Sequence, residues 1–471
     1  MTDLSVMGFV ELIPRIPLLW YRLRQAVRHV EQFQPHIVIT IDSKGFNFRL
    51  LKAIRGKDKF RRQGKEAPLC VHYVAPSFWA VKGGERRLRN LSPLMDHLLC
   101  ILPHEPATCQ QHGIPATYVG HPVLETIAED RSTRQSGGGR KEVGERRGED
   151  GSGEIRESGE PGEEGLRRDW GNNVVNGPWW RASGDGRAFR QHHGIPVGPQ
   201  HITICLLPGS RLQEVSRMLP IFLQSVEILT ASKWLRDYLD SRGPGGKLSL
   251  VIPTLPHSSE VTSLIQNTLN SWLHSLKDKN SSCRFPSSLS QSMQSDSVVD
   301  VAAAVMVPAP EGNTCANRTS ESKIINTGPH TDALAACDLA LCVSGSVVLE
   351  VLRSQIPLVV TYKAHWITQF IVKQRTSIQF ASLPNILLNK ASLPEVLFSE
   401  CTSHRLSSVI RDLMDDFDNC KAEQCTSAHQ LFNALQEPLN STDAHVPDSR
   451  EAHTPSKIAA EIVIDGFQFV N

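Results

Sequence analysis

The chain contains no run of about 18 consecutive apolar residues, the length a helix needs to cross a bilayer, so no spanning helix is expected. An excess of charge of either sign is also missing: 50 Lys and Arg stand against 49 Asp and Glu, which argues against a wholesale nucleic-acid binder and for small ligands or local patches. None of the eleven cysteines forms a Cys-x-x-Cys pair. The closest spacings, Cys337/Cys342 and Cys420/Cys425, have no histidines at zinc-ligand distance, so no structural metal is expected. Neither Gly-x-Gly-x-x-Gly nor the P-loop signature occurs at a strand end, which disfavours dinucleotide and P-loop chemistry. The opening residues Met1-Thr2-Asp3-Leu4 carry no basic leader, so no amino-terminal targeting segment is expected.

What is present is an alternation of strand and helix patterns. Residues 12 to 33 place Ile16, Leu19, Trp20, Leu23, Val27 and Val30 on one helical face, with Arg15, Arg22, Arg24 and Arg28 mostly elsewhere. Such a helix covers a sheet, or rests on an anionic membrane surface. The β-branched run Ile37 to Asp42 has the composition of a strand buried on both faces of a parallel sheet. Similar runs at Leu69 to Val74, Leu98 to Leu102 and Thr117 to Val119 make residues 1–125 a doubly wound α/β unit. Cys70, Cys100, Cys205 and Cys342 lie in apolar runs, which suits buried, reduced thiols in a cytosolic or organellar compartment.

Two stretches break the alternation. Residues 129 to 186 are rich in Gly, Glu and Arg, and 277 to 327 in Ser and Asn; both read as insertions into surface loops, because they lack the aliphatic residues of a core. The expected organisation is a first domain over 1–125, an insertion and linker over 126–199, a second α/β domain over 200–385, and helices with a polar tail over 386–471.

The chemistry concentrates in the second α/β unit. Strand Ile202 to Leu207 runs into Pro208-Gly209-Ser210-Arg211 and then a helix using Val215, Met218, Leu219, Phe222, Val226 and Leu229, with Glu214 in its first turn. A strand-to-helix corner of this kind offers backbone amides, a hydroxyl and a fixed cation to a phosphate. Strand Leu339 to Val343 repeats the plan with Ser344-Gly345-Ser346 and Glu350 one turn into the next helix, and Glu350 could accept hydrogen bonds from a ribose. Two such corners in one parallel sheet fit a nucleotide diphosphate held at the carboxyl ends of the strands. The plain alternatives are helix caps and turns.

These motifs, taken with Ser5 to Glu11, Ile41-Asp42 before Phe46-Asn47, His72 to Ala80, Gly120-His121-Pro122 and Ser382-Leu383-Pro384-Asn385, resemble in order and spacing the lipid-A-disaccharide synthase family. The resemblance implies an α/β protein of two Rossmann-like domains, the GT-B glycosyltransferase architecture, that moves 2,3-diacylglucosamine from its UDP donor to the 6-hydroxyl of lipid X and releases UDP. It implies no cofactor and no nucleic acid, a peripheral membrane surface, and a homodimer as an open question. Plant relatives imply a mitochondrial location and bacterial ones a cytoplasmic, membrane-associated location.

By the same resemblance Asp42 is the candidate general base, with a helix N-cap as its bland alternative. Arg211 would be catalytic and donor-binding, and Ser210, Glu214, Ser344, Gly345, Ser346, Glu350 and Asn385 would line the UDP-sugar site. Ser77 and Trp79 are acceptor-side candidates, with core packing the alternative for the indole; His121 reads as a loop-fixing group. The sequence also departs from the family. Its amino-terminal segment with the Gly-Glu-Thr-Ser-Gly-Asp loop has no counterpart, Gly45 stands where bacterial members have a second Asp, and Val81-Lys82 replaces Trp-Arg. The first sheet is accordingly expected to be incomplete, with an unpaired edge and exposed apolar surface. The alternative reading is a catalytically impaired isoform that binds UDP-sugar or partners a full-length subunit; a UDP-sugar epimerase is a third.

Overall fold

The computed structural model describes residues 13–56, 68–137, 178–254, 259–282, 304–306, 324–325, 330–376, 379–440 and 454–468. The family-like phrase Ser5 to Glu11 and residues 138–177 lie outside the described residues. Two parallel sheets carry the fold. The first contains β1 (Ile37–Ile41), β2 (Leu69–Tyr73), β3 (His97–Cys100) and β4 (Ala116–Tyr118), paired in that order. The second is built from β5 (Ile202–Leu207), β6 (Leu248–Pro253), β7 (Ala304–Met306), β8 (Ile324–Ile325), β9 (Leu339–Val343), β10 (Leu358–Tyr362) and β11 (Glu395–Leu397). Its order is β11-β10-β9-β5-β6-β7-β8, all parallel.

Helices cover both faces of the second sheet. Ile204, Leu206, Leu250 and Leu341 pack on one side against Val215, Met218, Phe222 and Val226 of helix Leu212–Ala231. Cys205, Leu207, Ala340 and Cys342 pack on the other against Leu349, Leu352 and Phe432. Every residue of β5 and β6 is buried, the condition in which an unbroken apolar run is favourable. Each large aliphatic side chain removed from water there contributes roughly 1.5–3 kcal/mol.

The stretches expected as insertions are shorter in the structure. Helix Val123–Gly137 continues through 129–137 at the start of the first stretch, and at its end Trp180 is 1 % exposed and stacked on Phe432 at 5.0 Å, so that flank belongs to the core. In the second, helix Ser259–Ser282 continues past 277, and β7 and β8 extend the sheet from β6. Polar composition hid them because each strand is only two or three residues long. The expected polar tail also contains helix Pro455–Gln468, whose Ile458 packs against Val71, Leu99 and Val119 of the first sheet.

β1 is not the strand buried on both faces that its β-branched run suggested, and instead agrees with the expected unpaired edge and exposed apolar surface. This strand lies at the sheet edge among the described residues, and only Val38 and Thr40 are buried; Ile39 and Ile41 are exposed. A β-branched run reads the same for a central strand and for an edge strand with one bare face. Helix Ile16–Phe33 likewise buries only Val27, leaving Ile16 and Trp20 exposed, with the Arg24 guanidinium over the Trp20 ring at 3.3 Å. The two units touch at several points: Tyr118 Oη donates to Leu435 O at 2.5 Å, Arg353 pairs with Asp130, and Val81 bridges to Thr376.

Candidate functional site

At the carboxyl end of β1 the chain turns sharply. Asp42 and Ser43 both adopt left-handed conformations, φ 46 and 43, a strain of order 1 kcal/mol each that Asn47 offsets by donating from Nδ2 to the Ile41 and Asp42 carbonyls. The Asp42 amide continues the ladder to Tyr73 O at 2.9 Å. Ser43, not Asp42, holds the N-cap position of helix Lys44–Arg55, and no side chain caps that helix. The Asp42 carboxylate is exposed and accepts no hydrogen bond among the described residues.

Ionisable groups that the sequence did not single out gather behind it. Lys44 Nζ donates to Ser77 Oγ at 2.9 Å; burial pulls its amine below the ordinary range, opposed by the carboxylates of Asp42 and Glu105. Glu105, 2 % exposed, accepts from Trp79 Nε1 at 3.2 Å and Leu102 N at 3.1 Å. Burial raises its carboxyl to about 7, against the opposing pull of those hydrogen bonds and of Lys44. His72 is fully buried, with Nδ1 2.8 Å from Thr40 Oγ1 and no partner for Nε2 among the described residues; burial lowers it to about 4 and keeps it neutral. Ser77 is thus a partner of Lys44. Trp79 packs against the cores of both sheets, the structural alternative for that indole, while its N–H serves Glu105. His121 Nδ1 accepts from Val123 N at 3.1 Å, a loop-fixing bond.

The corner after β5 contradicts one expectation. Its amides are not open to an anion: Glu214 Oε2 accepts from Ser210 N at 2.9 Å and from Arg211 N at 3.3 Å, while Oε1 accepts from Arg211 Nη1 at 2.8 Å. The physical reason is a capping box, in which the third helical residue folds back on the N-cap, here Arg211. Glu214, read from sequence as a UDP-sugar ligand, sits as a carboxylate where a phosphate was expected. Gly209 permits the approach: its φ is 113, and a Cβ there would lie 2.5 Å from Glu214 Oε2.

The corner after β9 is arranged otherwise. Ser344 N donates to Thr361 O at 2.9 Å and Ser344 Oγ to Ala381 O at 2.8 Å. Ser346 occupies the N-cap of helix Val347–Arg353 without a side-chain bond, and the amides of Gly345, Ser346 and Val347 have no acceptor among the described residues. Gly345 is exposed, and a Cβ added there would meet no described atom within 4 Å. Glu350 lies half-buried one turn further on. Asn385 is fully buried, and its amide is saturated: Nδ2 donates to Leu393 O and Glu395 Oε1, and Oδ1 accepts from Ser392 N and Leu393 N. No valence remains for a ligand, so its part in a donor site is indirect.

Parallel pairing of β5 with β9, Leu207 opposite Cys342, brings the two corners side by side at the carboxyl ends of neighbouring interior strands. Asp42 stands on the other sheet. Beyond Trp79 the chain touches the second unit, with Lys82 N donating to Arg375 O at 2.8 Å. Chemically the arrangement offers an uncommitted carboxylate on one side, and on the other a guanidinium and a set of amides without acceptors among the described residues.

Comparison with known proteins follows the same lines. The family model described as "Lipid-A-disaccharide synthetase" matches residues 1–144 and 298–446. The Arabidopsis thaliana protein named "Probable lipid-A-disaccharide synthase, mitochondrial" is 32 % identical, across 98 % of this chain and 79 % of its own length. Lipid-A-disaccharide synthase of Paramagnetospirillum magneticum is 28 % identical, across 99 % of this chain and 84 % of its own. Among solved structures, UDP-GlcNAc 2-epimerase from Neisseria meningitidis bound to UDP-GlcNAc aligns over 88 % of this chain and 78 % of its own at 10 % identity, with a TM-score of 0.43.

Proposed function

From the premise that the chain belongs to the lipid-A-disaccharide synthetase family of glycosyltransferases, we propose that it moves 2,3-diacylglucosamine from UDP to the 6-hydroxyl of 2,3-diacylglucosamine 1-phosphate. The observation that carries this reading is the adjacency of the two corners on β5 and β9, one holding Arg211 and the other three amides without acceptors among the described residues. In the reaction Asp42 takes the proton of the acceptor hydroxyl as its oxygen bonds to the anomeric carbon of the donor. The bond from that carbon to the diphosphate breaks with inversion, and UDP leaves with the electron pair. Arg211 and the amides of the second corner meet the charge that builds on the diphosphate.

Two details bear on the first corner. Glu214 already occupies its amides, so Arg211 must divide its guanidinium between Glu214 and the ligand, or exchange one for the other. Ser210, exposed beside it, contributes a hydroxyl. Turnover is expected to persist in EDTA, because a guanidinium and helix amides suffice to neutralise a leaving diphosphate.

The test is incubation of the purified chain with UDP-2,3-diacylglucosamine and the acceptor in EDTA, following disaccharide phosphate and UDP. Product formation that stops in Asp42→Asn supports the assignment. A folded chain that binds UDP but forms no product would instead be the impaired, nucleotide-sugar-binding protein, and one that does neither overturns both. The mitochondrial name of the Arabidopsis relative supports a location in that organelle, to be checked by fractionation. The exposed Ile16 and Trp20 beside the arginines of helix Ile16–Phe33 support a peripheral mode of membrane association; among the described residues no helix is long and apolar enough to cross a membrane.

A further inference from the structure

Neither corner's sequence points to Glu395, yet its carboxylate is the most heavily hydrogen-bonded acid around the second one. It opens β11, the strand beside β10 at the sheet edge, with Val360 opposite it in the ladder. Its Oε2 accepts from Ala381 N at 2.8 Å. Its Oε1 accepts from Ser382 N at 2.9 Å, Ser382 Oγ at 2.6 Å and Asn385 Nδ2 at 2.8 Å. Four donors on one carboxylate fix the entire turn 381–385, where Ser382 is 1 % exposed and Asn385 is fully buried.

The turn in turn holds the corner. Ala381, whose amide Glu395 binds, receives at its carbonyl the hydroxyl of Ser344, the first residue after β9. Asn385 closes the other end by pinning 392–393, just before Glu395. We propose that Glu395 is the positioning residue of the UDP-binding corner. It contacts no ligand, but through Ala381 it sets Ser344, and thereby the height and angle at which the amides of Gly345, Ser346 and Val347 meet the diphosphate. The role of Asn385 becomes that of a strut in the same frame. This inference rests on the donor-site reading given above and names the residue that keeps that site in shape.

Substituting Glu395→Gln places an amide N–H group opposite the Ala381 N–H while keeping volume and most of the other bonds. Calorimetric titration with UDP of the wild type, Glu395→Gln, Ser344→Ala and the double variant, alongside melting curves, separates the outcomes. The expected result is UDP binding weakened about tenfold by Glu395→Gln and several-fold by Ser344→Ala, with the double variant little worse than Glu395→Gln because both changes release one turn. A merely structural Glu395 would lower the melting temperature and leave UDP affinity of the folded protein within twofold of wild type, which overturns the proposal. Should Glu395→Gln fail to fold, Ser344→Ala decides alone: wild-type UDP affinity there refutes the coupling. A wild type that binds no UDP refutes the donor-site reading itself, and with it this inference.

Discussion

The two sheets bring opposite kinds of chemistry to their carboxyl ends. The first presents ionisable side chains: Asp42 exposed, with Lys44, His72 and Glu105 displaced from their ordinary ranges by burial behind it. The second presents backbone amides, serine hydroxyls and the Arg211 guanidinium, with Glu214 folded back on the β5 corner. The difference tracks packing. β5 and β9 are covered on both faces and run directly into helices, whereas β1 has one exposed face and ends among side chains. A glycosyl transfer needs both kinds, a proton acceptor at the acceptor and fixed positive potential at the leaving group.

The largest expected effect lies on the Asp42 side. Asp42→Asn should lower kcat by about a thousandfold, within the range for removal of a general base, while calorimetry shows UDP affinity unchanged because the second sheet is untouched. A loss of UDP affinity of similar size would erase the division of labour between the sheets.

Glu105 sharpens the same contrast through stability. Its folded carboxyl is raised to about 7 from an ordinary value near 4.5, so between those limits the folded chain holds a proton that the unfolded chain has released. Folding stability from this group is therefore greatest below about pH 4.5 and declines as pH rises to 7, by an amount on the order of 3 kcal/mol. Glu105→Gln removes the dependence. Relative to wild type it should gain stability progressively from pH 4.5 to 7 in urea titrations, with a flat difference outside that window. His72 and His121, lowered to about 4 by burial, lose stability towards acid in both proteins and cancel in the difference.

How far these features were legible follows from where their signals lie. Strands β5 and β9 were readable to the residue because an apolar run bounded by Pro208 or Ser344 has clear ends. Asp42 was readable as a strand-end acid, but its left-handed backbone was not, since that turn is held by Asn47 reaching back to the Ile41 and Asp42 carbonyls. Lys44 stood two residues from Asp42 and could have been noticed by proximity. Glu105 carried a weaker cue, an acid three residues beyond Leu102, whose amide it binds. Glu395 had none: its partners lie 10 to 14 residues upstream, and only the return of the chain beside β10 brings them together. The capping of Ser210 and Arg211 by Glu214 was encoded locally, in an acid three residues after the N-cap, and an anion-site reading of the same residues concealed it.

On the amide-bearing side, Arg211→Ala should reduce kcat/KM by about a hundredfold, the scale for losing one charged donor to a transition state, and should weaken UDP binding as well. Helix Leu212–Ala231 keeps the backbone half of its cap in that variant, because Glu214 still accepts from the Ser210 and Arg211 amides. A normal melting temperature with lost activity is the expected pairing. Unchanged UDP affinity would shift the phosphate contact away from the β5 corner.

The smallest effect separates the corners themselves. Gly209 has φ 113 and faces Glu214, so Gly209→Ala must both strain the backbone and push the carboxylate off the amides, at a cost of roughly 1–3 kcal/mol. Gly345 has an ordinary φ and open space around it, so Gly345→Ala should change stability by no more than about 0.5 kcal/mol. Ligand binding should reverse the ranking. A methyl group at 345 stands beside the amides left for the diphosphate and should weaken UDP binding several-fold, while any effect of Gly209→Ala on UDP should be mixed with release of Glu214. Melting curves and UDP titrations of the two alanine variants thus test whether one corner is closed by the protein and the other by its ligand, and equal stability losses at both glycines would remove that distinction.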